Sequence, residues 1–265
     1  MPDLLRTIAG DARGIARVFG PGVAARWLLA AATRAPTCWR ERTMRAADRA
    51  LGEGPFDARL RSARARLVGP DVISGAREIW VRDVYLGGGF LHIPPDGVVV
   101  DLGCNRGIFT LLALGHGDGV RVTSVEADRD NLVLLDRSLQ ANDWTDRVTV
   151  VNAFVGGVTD FQATLRDRAP DQAAVPWLTG DELVDRLGTD RIDFLKCDIE
   201  GSEYDLFAGP SRLLEVTRRL AIELHREAGR PEAFIEDLEA QGFETTVSRA
   251  SANDIIVLAR RPDAA

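Results

Sequence analysis

The chain has 265 residues and a hydrophobic fraction of 45%, enough for one large core, which excludes a disordered or fibrous protein. A net charge of −7 excludes a broadly basic nucleic-acid-binding body. The charge is uneven, because residues 1–70 carry 13 Arg against 6 acids, a net +7, and leave −14 on the remaining 195. Solvated faces of amphipathic helices account for the basic arm most simply, with a nucleic-acid or anionic-membrane contact as the alternative.

Cys38, Cys104 and Cys197 have neither paired nor CxxC spacing, so no disulfide framework or zinc site is expected. The N-terminus lacks a secretory pattern, and the most apolar stretch, Val23 to Thr33, contains Arg26 and is too short to span a bilayer. These features predict a cytoplasmic protein with no membrane span.

Leu4, Ile8, Ile15 and Phe19 recur at helical spacing until Gly20-Pro21-Gly22 breaks the run. Further helices are predicted over Val23 to Arg34, Thr37 to Ala50 and Phe56 to Leu67, making residues 1–70 a helical segment ahead of a domain over 71–265. Glu78 to Tyr85 alternates and reads as an edge strand or hairpin arm before Gly87-Gly88-Gly89. From residue 97 strands alternate with helices: strands near Val98, Arg121–Val125, Val148–Val151, Ile192–Cys197 and Arg219–Leu224, helices over Gly107–Leu114, Asp128–Asn142, Thr179–Leu187, from Ser202, and over Glu232–Gln241. Phe161 to Pro176 reads as an antiparallel excursion, and Phe243–Val247 pairs with Ile255–Ala259 as a closing hairpin. This alternation predicts an α/β fold, a doubly wound, mostly parallel sheet with an antiparallel C-terminal hairpin.

Asp101-Leu102-Gly103-Cys104-Asn105-Arg106-Gly107 follows the first strand and opens a helix, a turn that lets a ligand approach the backbone. Glu126 ends the next strand, placed to accept from both hydroxyls of a ribose. A dinucleotide site wants G-x-G-x-x-G, and an acid at the strand end is unwelcome beside a pyrophosphate. Asp101 suits an ammonium, directly or through water, so S-adenosylmethionine is favoured over NAD. Asn152 and Ala153, at the end of the third strand, are expected beside the adenine, with an ordinary turn cap as the alternative for Asn152.

Lys196 is the only lysine among 33 basic side chains. Residues two apart on a strand share a face, so Lys196, Asp198 and Glu200 point together, and Glu223 and His225 end the following strand in the same cleft. A structural ion pair of Lys196 with Asp198 or Glu200 is the alternative to a catalytic cluster.

The segments 99–110 (D-x-G-x-N-x-G-x-F-T), Val125-Glu126-Ala127, 193–203 (K-x-D-x-E-G-x-E) and Ile222-Glu223-Leu224-His225 resemble the FkbM family of S-adenosylmethionine-dependent methyltransferases over roughly residues 75 to 260. The resemblance implies a class I methyltransferase (Rossmann-like) sheet and methyl transfer to a hydroxyl of a natural product, sugar or glycan. It also implies cofactor contacts from Asp101, Gly103, Asn105, Gly107 and Glu126, to which the neighbouring Cys104, Phe109 and Ala127 are added. Cys104 stands where that family usually has Ala, and Ala127-Asp128 where Pro-Asn is common.

An alcohol acceptor needs a general base, and the candidates are His225, Asp198 and Glu200 in that order, beside Lys196. Alternatively Asp198, Glu223 and His225 hold Mg²⁺ or Mn²⁺, which would polarise the hydroxyl. A non-catalytic scaffold or sensor and an NAD-dependent oxidoreductase are the competing functions. The N-terminal helices are expected to cover the cleft, shape the acceptor pocket or form a homodimer contact.

Overall fold

A computed structural model describes residues 2–60, 63–85, 89–168 and 173–262. Helices α1 (Pro2–Phe19), α2 (Pro21–Thr33), α3 (Ala35–Glu41) and α4 (Arg45–Arg49) come first, the expected third helix being split where Arg42 turns left-handed at φ 52°. A hairpin of β1 (Phe56–Arg59) and β2 (Arg64–Leu67) replaces the expected fourth helix. Its burial alternates, with Phe56, Ala58, Ala65 and Leu67 inside and the aspartate and arginines between them outside. The helix-forming Arg and Ala content masked a period of two.

Helix α5 (Val72–Ala76) runs into a wide turn over Arg77–Val81, closed by Arg82 N–H donating to the Arg77 carbonyl, where an edge strand was expected. The following Gly87-Gly88 lies outside the described residues. This turn delivers Tyr85, 3% exposed, to the sheet edge.

The sheet itself follows the predicted alternation. Strands β3 (Val98–Leu102), β4 (Arg121–Glu126) and β5 (Val148–Asn152) are separated by α6 (Ile108–Leu114) and α7 (Arg129–Gln140). After them, β6 (Phe154–Val155) and β7 (Trp177–Leu178) pair parallel around α8 (Asp160–Asp167), which corrects the expected antiparallel excursion. Helix α8 forms there because Thr159 and Gln162 make a capping box. Then come α9 (Gly180–Leu187), β8 (Phe194–Cys197), α10 (Glu203–Leu206), α11 (Arg212–Glu215), β9 (Arg219–His225), α12 (Pro231–Ala240), β10 (Glu244–Ala250) and β11 (Asp254–Arg260).

The strand order is β10-β11-β9-β8-β3-β4-β5, parallel from β9 to β5 and antiparallel at β11 and β10. Burial on both faces follows the period of two. Val99, Phe194, Ala221 and Ile256 join one core, and Val100, Leu195, Ile222 and Val257 the other. The first core is continuous with α1–α5 through Ile15, Trp27, Ile73 and Leu111, so the N-terminal segment is packed onto one face of the sheet.

A buried polar knot ties that segment together. The Arg77 guanidinium donates to Asp48 at 2.9 and 3.1 Å and to Asp11 at 3.0 Å, while Trp27 donates its indole N–H to Asp48 at 2.7 Å. Arg77→Ala leaves Asp48, 1% exposed, without its cation. The variant should lose about 3–5 kcal/mol in urea titration, whereas breaking the exposed Arg212–Asp185 pair should cost under ~1 kcal/mol.

Candidate active site

Strand order reverses between β3 and β8, and side chains meet at the carboxyl ends of those strands. Gly103 leaves β3 at φ +68°, where an added Cβ would lie 1.8 Å from the Asp198 carbonyl oxygen. Glycine there is a condition of the two strand ends touching. Gly107, at φ +76°, admits Leu135 of α7, whose Cδ1 would be 2.2 Å from a Cβ. Its role in this fold is helix packing.

Glu126 accepts from the backbone N–H of Asn105 at 2.8 Å and of Asp128 at 2.7 Å. Burial pushes its carboxyl up to about 7, against the pull of those two donors. It borders a first cleft, open to solvent on one side, whose walls include Gly103, Asn105, Ala127, Ala153 and Phe161. Asn152 is not among them. Its amide donates to the carbonyls of Glu126 and Ala127 at 2.9 Å and accepts from Arg129 at 3.0 Å, bracing the ends of β4 and β5. The turn-cap alternative holds for that residue.

Asp101 lines no cleft either. It is fully buried, accepts from Thr110 at 2.7 Å, and faces the Lys196 ammonium at 3.5 Å, so the ammonium it meets is the chain's own. Lys196 donates to the carbonyls of Leu102 at 3.2 Å and Gly103 at 2.8 Å, with Asp198 at 3.7 Å. Although burial opposes its charge, Asp198 and Asp101 raise its pKa above the ordinary value. Lys196 is a fixed cation.

Tyr85 lies across this cation, its ring 5.7 Å from the Lys196 nitrogen. Its hydroxyl donates to Glu223 at 2.5 Å and faces Asp198 at 3.1 Å. Burial and the two carboxylates raise the phenol pKa well above its usual value, so it stays protonated. A second cleft is bordered by Arg45, Ser74, Glu78, Tyr85, Lys196 and Asp198, with Cys104 and Phe109 on its inner wall. The two clefts share Gly103, Asn105 and Asp198. Asp198 is the ionisable group that stands between them.

His225 lines neither cleft. Its Nδ1 meets Glu203 at 3.2 Å and its Nε2 meets Glu200 at 3.5 Å. Burial works against its charge, but the Glu203 hydrogen bond and the charges of Glu203, Asp198 and Glu200 raise it to about 9. A protonated imidazole has no lone pair for an incoming proton, which weighs against His225 as the first of the candidate bases. Glu200, exposed at φ +55°, borders the first cleft.

The expected metal triplet is corrected as well. Glu223 is engaged by Tyr85, and burial and Asp198 raise it to about 7. Among the described residues, the carboxylate that joins Asp198 and His225 within 4.8 Å is Glu203. It is fully buried, accepts from Ile199 N–H at 2.9 Å, and has one oxygen, Oε2, without a partner. Glu203 closes the K-x-D-x-E-G-x-E pattern, so its presence was legible although its contact with His225 was not. Tyr85 had no signal in the sequence.

A doubly wound sheet in this strand order, with a cleft over a Gly-rich turn at its carboxyl edge, defines a class I methyltransferase. Residues 101–245, more than half of the chain, match the methyltransferase FkbM domain, and the chain belongs to that family. AMB antimetabolite synthetase AmbE of Pseudomonas aeruginosa is 25% identical over 228 residues, 64% of this chain, which spans 10% of that protein's length. Similar solved structures include an FkbM methyltransferase from Methylobacillus flagellatus, with 19% identity, a TM-score of 0.48, and coverage of 71% of this chain and 54% of that one. Another is an O-methyltransferase from Bacillus cereus in complex with SAH, with 17% identity, a TM-score of 0.40, and coverage of 62% and 73%.

The raised His225 pKa makes stability depend on pH. A group that binds its proton more tightly when folded contributes fully below its unfolded pKa, here 6.5, and loses that contribution as pH rises through about 9. Thermal midpoints should fall across that interval, and His225→Gln should flatten the slope.

Proposed function

We propose that the chain transfers a methyl group from S-adenosylmethionine to a hydroxyl of a small molecule, in the class of natural products, sugars and glycans. The observation that carries this is the meeting of two clefts at Asp198 and Gly103. The residues present fit the cofactor. Glu126 keeps lone pairs for a ribose diol, and Ala127, Ala153 and Phe161 offer an apolar wall for a purine. When bound, S-adenosylmethionine supplies an electrophilic methyl on a sulfonium.

The chain's part is to position the acceptor and take its proton. The second cleft, walled on one side by Arg45, α5 and the turn that follows it, receives the acceptor and orients its hydroxyl toward the junction. Asp198 is the proton acceptor there, with Lys196 and the Tyr85 hydroxyl fixing its carboxylate. His225 acts as a cation that holds Glu203 and Glu200 in place.

A second reading has Asp198, Glu203 and His225 hold Mg²⁺, supported by their spacing and by the unpartnered Glu203 oxygen. It requires His225 to give up its proton. Under the metal-free reading, EDTA leaves turnover unchanged; loss restored by added Mg²⁺ would select the metal.

Isothermal titration with S-adenosylhomocysteine should show micromolar binding that Glu126→Ala abolishes. Asp198→Asn should keep that binding while turnover of any acceptor found by screening falls by about 10²–10⁴. Absence of binding by folded wild-type protein would refute the proposal.

A further inference from the structure

The outer face of the N-terminal helices has a composition that the methyltransferase site does not use. Between residues 23 and 32 every side chain is apolar except Arg26, so α2 is apolar all round. Its inner stripe, Ala24, Trp27, Ala30 and Ala31, is buried in the core. Its outer stripe, Ala25, Leu28, Leu29 and Ala32, stands in solvent at helical spacing. Leu29 is 66% exposed and Trp39, on the adjoining α3, is 81% exposed. An all-round apolar helix with one bare side is built to be covered.

The charge along α2 and the α3–α4 stretch that follows it restricts what covers that side. From residue 24 to 47 there are five arginines, Arg26, Arg34, Arg40, Arg42 and Arg45, against one carboxylate, Glu41. All five arginines are exposed. A second copy packed symmetrically on this face would set the arginines against their own images. An anionic lipid surface satisfies both features, since acyl chains take Leu28, Leu29 and Trp39 while headgroup phosphates take the guanidiniums. Leu29 and Trp39 project outward, as side chains that insert into an interface do. The acidic remainder of the chain, at −14, is repelled by the same surface and would face away from it.

We infer that the α2–α3 face binds peripherally to anionic membrane, with Leu28, Leu29 and Trp39 inserted and Arg34, Arg40 and Arg42 on the headgroups. Arg45 also borders the second cleft, so bound lipid lies beside its mouth. The inference does not depend on the proposed reaction.

Flotation of the full chain with vesicles tests it, comparing pure phosphatidylcholine with an equal mixture of phosphatidylcholine and phosphatidylglycerol. The protein should float with the mixed vesicles, and high salt should release it. Partitioning should fall by about tenfold or more in a Leu29→Ser, Trp39→Ser double variant and by about a hundredfold in Arg34→Glu, Arg40→Glu, Arg42→Glu. All five side chains are exposed, so both variants should melt like wild type. Failure to float with mixed vesicles at low salt, equal flotation with neutral ones, or variants that float like wild type would overturn the inference. So would a dimer in light scattering that Trp39→Ser dissociates, because a second copy would then cover the face.

Discussion

The carboxyl edge of this sheet is organised around one buried ammonium. Lys196 reaches from β8 to the last carbonyls of β3 and pairs with Asp101 on one side and Asp198 on the other. Two carboxylates, one fully buried, face the same ammonium at 3.5 and 3.7 Å, and without that cation their burial would carry a large desolvation cost. The Gly103 turn depends on the same contact, because the carbonyls that Lys196 binds are those that start it. Arginine would be a poor substitute, since its planar fork is longer and cannot gather carbonyl oxygens around a point charge. Holding the strand ends together in turn fixes where Asp198 sits between the two clefts.

The N-terminal segment reaches this centre through Tyr85. The knot of Arg77, Asp11 and Asp48 anchors the turn that carries the tyrosine, and the tyrosine hydroxyl joins Asp198 to Glu223. Stability of the segment and geometry of the site are therefore connected by a few residues of backbone. Because α1–α5 share a core with the sheet, this connection is a rigid one.

Much of this was legible in the sequence. Strand–helix alternation, the glycine pattern and Glu126 gave the sheet, the turn and the first cleft, because those features depend on local spacing. Phe56–Leu67 was misread because its arginines and alanines favour helix in isolation, and only pairing with the facing strand reveals the alternation. Asn152 and Asp101 were placed at the right strand ends, but whether a side chain faces a ligand or its own neighbours depends on contacts across the sheet. His225 shows the same limit. Its identity suggested a base, while its protonation is set by Glu203 and Glu200, which lie 22 and 25 residues earlier in the chain.

A chain with one lysine, sealed at 3% exposure, offers no side-chain amine to the outside. Amine-selective acylating reagents, and enzymes that attach groups to lysine, find no lysine amine on the folded surface. Covalent capture of Lys196 would require its ion pairs with Asp101 and Asp198 to open. Amine labelling of that residue, followed over time by mass spectrometry, would thus record how often the centre of the molecule comes apart.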